Sequence, residues 1–89
     1  MTQQLQILLV DDDDVDRMTV RRALQLSGLD YELTEAVDGA GALVACAAQQ
    51  YDCIFLDFRL PDADGDAIFA KMVDEHDCHA AVIFLTGQD

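Results

Sequence analysis

The stretch ILLVDDDD at residues 7–14 passes from four apolar residues directly into four aspartates. Two carboxylates about 4 Å apart repel by roughly 4 kcal/mol at an effective dielectric constant near 20, so this crowding needs a physical reason. Aspartate is favoured at a helix start, which accounts for Asp13 or Asp14. It does not account for Asp11 and Asp12, which stand where a buried strand ends. A hard cation with oxygen ligands relieves such repulsion, and the run therefore predicts a metal site.

Apolar runs and helical patterns alternate along the rest of the chain. Residues 5–10 form a short run that is apolar except for Gln6, which is typical of a strand buried on both faces. The order βαβαβαβ predicts an α/β fold in which helices cover both faces of one parallel sheet. We expect the remaining strands at residues 31–37, 52–58 and 81–85, and the helices at residues 14–27, 40–49 and 65–74.

Polar residues stand at the ends of three of the four predicted strands. Asp11 and Asp12 follow the first strand, Asp57 stands at the end of the third, and Thr86 follows the fourth. In open parallel sheets, ligands bind beside the carboxyl ends of the strands. We therefore expect these four residues to lie together at one edge of the sheet.

The balance of charge excludes one class of partner. The 89-residue chain is long enough for one domain, and its net charge is −13, from 18 acidic and 5 basic residues. Binding to the phosphates of nucleic acids requires clustered lysine and arginine side chains. The composition therefore argues against direct contact with nucleic acid.

Neither a targeting signal nor a membrane span is predicted. No apolar segment approaches the roughly 20 residues that cross a bilayer, and the N-terminus lacks the basic and apolar regions of a signal peptide. Cys46, Cys53 and Cys78 are odd in number and show no C-x-x-C spacing, which favours free thiols. We therefore expect a protein of the reducing cytoplasm with no membrane contact.

With these residues placed, the chain resembles the receiver domain of bacterial two-component response regulators. The matching stretches are ILLVDDD at residues 7–13, YDCIFLDFRLP at residues 51–61, Gly65, and VIFLTG at residues 82–87. The resemblance implies a doubly wound, flavodoxin-like sheet with strand order 2-1-3-4. It also implies that residues 1–89 form a single receiver domain.

The resemblance assigns a role to each residue of the predicted site. Asp57 is the phosphoacceptor, which takes a phosphoryl group from a histidine of a sensor kinase or a phosphotransfer protein. Asp12 ligates Mg²⁺ directly and Asp11 holds it through water, while Asp57 and the backbone carbonyl of Arg59 complete the protein ligands. Thr86 offers its hydroxyl group to the phosphoryl oxygens. Such a domain is no enzyme in the usual sense, because it assists only its own phosphorylation.

The sequence departs from the family pattern after Thr86. The pattern continues through a fourth helix, a fifth strand that ends in a lysine, and a fifth helix, whereas this sequence stops at Asp89. Its only lysine, Lys71, falls in the third helix, so the family lysine has no counterpart. We therefore expect a C-terminally incomplete receiver. An interaction module that does not signal by phosphorylation stays open as an alternative.

The same departure predicts self-association. The fourth strand, at residues 81–85, becomes a sheet edge that is wholly apolar and lacks the charges or proline that protect such edges. Helix one carries further apolar residues, among them Val15, Met18 and Leu26. We expect a homo-oligomer that forms through strand four or through helix one.

A second family pattern matches the opening stretch alone. Haloacid-dehalogenase-type phosphohydrolases carry hhhhDxDxV, which would make Asp11 the nucleophile and Asp13 the acid/base. That interpretation leaves Asp57 and Pro61 unexplained, and the later motifs of those enzymes are lacking. It stays the lesser alternative.

The remaining charged residues near the site receive structural interpretations. We expect three arginines on the exposed side of helix one, namely Arg17, Arg21 and Arg22. Three acids are expected to serve the loop and helix start after strand three, namely Asp62, Asp64 and Asp66.

Overall fold

A computed structural model describes residues 4–85 of the chain. The elements in chain order are β1 (Leu5–Val10), α1 (Asp14–Leu26), β2 (Tyr31–Ala36), α2 (Gly39–Ala48), β3 (Cys53–Asp57), α3 (Gly65–His76) and β4 (Ala81–Leu85). Every predicted element within these residues is present, and its ends differ from the prediction by no more than two residues. Thr86, which the sequence assigns to the site, lies outside the described residues.

The four strands form one parallel sheet in the order β2-β1-β3-β4, as predicted. β1 lies between β2 and β3, and its residues Leu8, Leu9 and Val10 are fully buried. A strand with neighbours on both sides and helices on both faces has little exposed surface, which explains the unbroken apolar run at its residues 7–10. The fold is therefore the doubly wound, flavodoxin-like α/β arrangement.

Two hydrophobic layers hold the helices against the sheet. On one face, α2 and α3 pack together over a cluster of buried residues: Leu8, Val10, Ala36, Ala42, Cys46, Tyr51, Ile54, Leu56, Ile68 and Met72. Successive side chains of a strand point to opposite faces. Ile7 and Leu9 are therefore buried on the other face, and Leu24 is the buried residue of α1.

Much of the apolar surface of α1 and β4 is exposed. The exposed fractions are 66% for Val15, 50% for Met18 and 82% for Leu26, and Ile83 and Phe84 of β4 are also exposed. β4 is an edge strand of the sheet among residues 4–85. These are the two surfaces through which a homo-oligomer is expected, and that association stays a prediction.

Helix α2 begins at a junction of two loops. The carboxylate of Asp38 accepts a hydrogen bond from the Gly41 N–H at 2.7 Å. The carboxylate of Asp62, from the loop after β3, accepts bonds from the N–H groups of Gly39 at 2.8 Å and Ala40 at 2.9 Å. Asp62 lies in the loop after β3, as expected, but its carboxylate also satisfies two free N–H groups at the start of a distant helix, which was not predicted.

Glycine at position 39 allows this close approach. A Cβ atom there would overlap the side chain of Ile68 and lie 3.0 Å from Oδ1 of Asp62. The start of α2 can therefore lie directly against α3 and the loop before it.

Two further features bear on the sequence-based expectations. No helix within residues 4–85 is long and apolar enough to cross a membrane. All three cysteines are free, and burial raises the pKa of the Cys46 thiol to about 11.

Replacing Asp62 with alanine is expected to lower the free energy of unfolding at neutral pH. The two N–H groups of α2 hold the pKa of Asp62 below its usual range. A carboxylate with a lowered folded-state pKa stabilises the fold above its unfolded-state pKa, and this contribution is lost as the pH falls through the folded-state pKa. Urea unfolding of wild type and Asp62→Ala at neutral and at strongly acidic pH measures the difference.

Asp64→Ala is the matched control, since Asp64 has the same charge but its side chain makes no capping hydrogen bond. The Asp62 variant should be the less stable of the two at neutral pH, and the gap should close in acid. Equal stability of the two variants at neutral pH would refute the capping role.

Candidate functional site

Three of the predicted site residues meet at the carboxyl edge of the sheet. Val10 of β1 pairs in register with Leu56 of β3, so the residues that follow them, Asp11 and Asp57, stand side by side. Asp12 extends from the start of the β1–α1 loop. One carboxylate oxygen from each of the three aspartates lies within 4.8 Å of the other two. Parallel pairing of two buried strands thus forces like charges together.

These carboxylates differ in their contact with solvent. Asp11 is 2% exposed and Asp57 is 7% exposed, and they are the buried charged residues among residues 4–85. Asp12 is exposed. A buried carboxylate is costly unless it is paired or hydrogen-bonded. The Asp11 carboxylate accepts a bond from the Asp13 N–H at 2.9 Å, and that of Asp57 accepts one from the Arg59 N–H at 3.2 Å.

No cationic side chain within residues 4–85 pairs with either buried carboxylate. The ion pairs of that region join Arg17, Arg21 and His79 to acids elsewhere. The pKa of Asp11 is raised to about 6, chiefly by burial; the Asp13 N–H lowers it, and the negative charges of Asp57, Asp16 and Asp12 add to the rise. The site therefore holds more negative charge at neutral pH than its hydrogen bonds compensate.

This arrangement fits a small hard cation. Magnesium prefers one or two carboxylates together with water molecules and phosphate oxygens, rather than a closed protein cage. Two buried carboxylates and one exposed carboxylate provide three oxygen ligands close together, and the exposed one is in contact with solvent. The residues present can therefore hold Mg²⁺.

The loop after β3 is packed tightly against the strand end that carries Asp57. The Gly65 N–H donates to the carbonyl oxygen of Phe58 at 2.6 Å. A Cβ atom at Gly65 would lie 2.5 Å from the carbonyl oxygen of Asp57. Arg59 follows in this loop, and the metal-binding role of its carbonyl group stays a prediction.

Arg17 is a residue that the sequence-based interpretation misplaced. Its side chain is only 11% exposed, whereas the exposed side of α1 was predicted. The guanidinium group donates to the carbonyl oxygen of Asp11 at 2.6 Å and to the carboxylate of Glu35 at 3.1 Å, and it also pairs with Asp14. The three-residue spacing from Asp14 could have indicated an ion pair, but Glu35 is too distant in sequence to be recognised. Arg21 is 40% exposed and fits the prediction better.

The side chain of Asp13 serves the backbone of α1. Its carboxylate accepts bonds from the N–H groups of Val15 at 2.8 Å and Asp16 at 3.3 Å, as predicted for a helix cap. The phosphohydrolase alternative needs this same carboxylate as a free acid/base. The capping role thus favours the interpretation in which Asp11, Asp12 and Asp57 form the site.

Comparison with known proteins places this site in a family. A sequence model of the response regulator receiver domain matches residues 7–89. Sensor protein EvgS of Escherichia coli (strain K12) is 33% identical over 76 residues, which are 85% of this chain and 6% of EvgS. The chain thus spans a small part of the length of this curated relative.

Two solved structures share both the fold and part of the sequence. The receiver domain of sensor histidine kinase PA1611 from Pseudomonas aeruginosa PAO1, with a magnesium ion coordinated in its active site cleft, is 32% identical with a TM-score of 0.82. The match covers 94% of this chain and 68% of that one. A response regulator from Burkholderia pseudomallei with a phosphorylated aspartic acid and a calcium ion is 27% identical with a TM-score of 0.80. That match covers 97% of this chain and 49% of the other.

Replacing Gly65 with alanine is expected to lower the free energy of unfolding by about 1–3 kcal/mol, the usual cost of an overpacked site. The added methyl group would press against the backbone of Asp57 and Phe58. Gly41→Ala is the control, since a Cβ there meets only Asp38 and Ala36, at 3.0 and 3.5 Å, inside a helix that favours alanine. Urea unfolding that shows Gly65→Ala to be no less stable than Gly41→Ala would contradict this packing.

Replacing Asp11 with asparagine is expected to stabilise the metal-free protein at neutral pH by about 1–3 kcal/mol, as its pKa shift implies. An acid whose pKa is raised by folding destabilises the fold as the pH rises through that pKa. The amide oxygen of asparagine can still accept the Asp13 N–H bond. Asp12→Asn is the matched control. Because Asp12 is exposed, this substitution should change the free energy of unfolding by no more than about 0.5 kcal/mol. Destabilisation by Asp11→Asn would show that the buried charge is compensated.

Proposed function

The chain belongs to the family of response regulator receiver domains, and we propose that its Asp57 accepts a phosphoryl group in two-component signalling. The donor is a phosphohistidine of a sensor histidine kinase or a phosphotransfer protein. The observation that carries this proposal is the meeting of Asp11, Asp12 and Asp57 within 4.8 Å at the carboxyl edge of the sheet. Receiver domains are generally regulatory rather than enzymes, so the proposed role is that of a phosphoacceptor that assists its own modification.

Asp57 is the best-placed nucleophile of the three acids. It is the last residue of β3, an inner strand of the sheet, and its carboxylate is held by the Arg59 N–H. A carboxylate oxygen of Asp57 forms the new P–O bond while the P–N bond of the phosphohistidine breaks and its electron pair returns to the imidazole. Such a transfer depends mainly on in-line positioning and on stabilisation of charge. A nucleophile fixed at a rigid strand end meets the first requirement.

Neighbouring residues are proposed to supply the stabilisation of charge. Asp12 would bind Mg²⁺ directly, Asp11 would hold it through water, and Asp57 and the backbone carbonyl of Arg59 would complete the ligand set. When bound, the cation offsets the repulsion between an anionic nucleophile and an anionic phosphoryl group. The proposed contact of the Thr86 hydroxyl with the phosphoryl oxygens concerns a residue outside the described range. The magnesium in the P. aeruginosa receiver and the phosphorylated aspartic acid in the B. pseudomallei protein support these assignments.

The remaining proposals concern the setting of this reaction. We propose that residues 1–89 act as one receiver domain and that it works in the cytoplasm, where sensor kinases present their phosphohistidines. The net charge of −13 makes the domain a poor direct partner for nucleic acid. The exposed apolar residues of α1 and β4 are the proposed surfaces for a homo-oligomer.

Incubation with phosphoramidate and Mg²⁺ is expected to add one phosphoryl group to the wild-type protein. This small donor carries the same kind of P–N bond as phosphohistidine. Asp57→Asn should not be labelled, because an amide is a poor nucleophile. Intact-mass spectrometry measures the labelling of both proteins. It is done at neutral pH, where an acyl phosphate survives long enough to be detected.

Asp64→Asn is the matched control, since it removes an exposed acid of the same loop and should leave labelling unchanged. Equal labelling of the Asp57 variant would overturn the assignment of the phosphoacceptor. Failure of the wild-type protein to accept the group would favour the interaction module that does not signal by phosphorylation.

A further inference from the structure

The guanidinium group of Arg17 joins three segments next to the acidic site. Its donors reach Asp14 in the first turn of α1, Glu35 in β2, and the backbone carbonyl of Asp11 at the start of the β1–α1 loop. The bond to that carbonyl is 2.6 Å long, and the side chain is 11% exposed. A side chain this enclosed, with a partner on each segment, is held in one conformation.

The peptide group that Arg17 contacts links Asp11 to Asp12, two of the three acids of the site. The carbonyl of Asp11 belongs to the peptide unit that joins Asp11 to Asp12, and a peptide unit is planar. Fixing this oxygen therefore constrains the orientation of the plane that carries both Cα atoms. On its other side, Asp11 is held by β2, because its N–H donates to the Ala36 carbonyl at 3.1 Å.

The charge of Arg17 does not by itself favour a cation in the site. A positive charge close to Mg²⁺ repels it, so an unpaired arginine here would weaken metal binding. The carboxylates of Asp14 and Glu35 neutralise the guanidinium group and remove most of that repulsion. What remains is the directional hydrogen bond to the Asp11 carbonyl.

We propose that Arg17 is a positioning residue of the acidic site, which holds the Asp11–Asp12 peptide in the orientation that binds the cation. This inference rests on the proposed function, since it assumes that the acids bind Mg²⁺. Residues that orient metal ligands typically change metal affinity by 10–100-fold when they are removed. Arg17 would act in the same way, through the backbone of the residues that bind the metal ion.

Arg21 provides a matched comparison one turn further along α1. Its side chain donates to both carboxylate oxygens of Glu35 at 3.1 Å, and within residues 4–85 the side chain makes no hydrogen bond to any other residue. Arg17→Met and Arg21→Met each remove one positive charge and keep an unbranched side chain. If charge alone mattered, both variants would bind Mg²⁺ more tightly. If Arg17 positions the loop, its variant binds more weakly and the Arg21 variant does not.

Titration with Mg²⁺, followed by the backbone amide resonances of Asp13 and Arg59, measures the dissociation constant of each protein. We expect about tenfold weaker binding or more for Arg17→Met, and a change within about twofold for Arg21→Met, whose ion pair is solvent-exposed. Arg17→Lys keeps the charge but lacks the planar fork that reaches three partners at once. It should also bind more weakly than wild type, and it serves as the test if Arg17→Met fails to fold.

The outcomes separate this inference from the proposed function. If the wild type binds Mg²⁺ and the folded Arg17 variants bind it equally well, the positioning role is overturned. The proposed function is then unaffected. Wild type that binds no Mg²⁺ overturns the proposed function, and this inference with it. A lower free energy of unfolding with unchanged Mg²⁺ affinity would show that Arg17 is only structural, which also overturns the inference.

Discussion

The mutual repulsion of Asp11, Asp12 and Asp57 is the constraint on which the rest of the structure depends. It follows from the parallel pairing of β1 with β3, which places the residues after Val10 and Leu56 side by side. The strands themselves are well buried, since Leu8, Val10, Ile54 and Leu56 are fully enclosed by the helices. Burial of this apolar surface stabilises the fold enough to offset carboxylates that raise one another's energy. The fold thus tolerates a cluster of repelling carboxylates at this edge, which is where the proposed function places the cation and the phosphoryl group.

Three contacts hold the loops around this edge in place. Arg17 binds the backbone at Asp11, Asp62 ties the loop after β3 to the start of α2, and Gly65 allows α3 to begin directly against Asp57. None of these residues belongs to the cluster of acids. Together they link the loops to four different helices and strands, which holds in place the backbone that carries the carboxylates. A site preorganised in this way can bind a cation with little rearrangement.

The sequence alone predicted the strands, the helices and the three clustered acids, because these depend on local patterns. An apolar run that ends in aspartates identifies both a buried strand and the polar edge of a sheet. The strand order came from the family resemblance rather than from periodicity, and the sheet confirms it. The contacts of Arg17 and Asp62 were not predicted because their partners, Glu35 and the N–H groups of Gly39 and Ala40, are distant in sequence. Contacts of that kind depend on tertiary packing, and a helical or loop pattern gives no sign of them.

The most direct test of this account is the free energy of unfolding of the wild-type protein, measured against pH with and without Mg²⁺ at matched ionic strength. The account predicts that Mg²⁺ stabilises the protein at neutral pH, because it binds the crowded carboxylates in the folded state alone. That gain should shrink as the pH falls below about 6, where Asp11 takes up a proton and loses the negative charge that helps to hold the cation. Matched sodium chloride removes any difference due to screening of the overall negative charge. A Mg²⁺ effect that is absent at neutral pH, or that does not change with pH, would contradict the account.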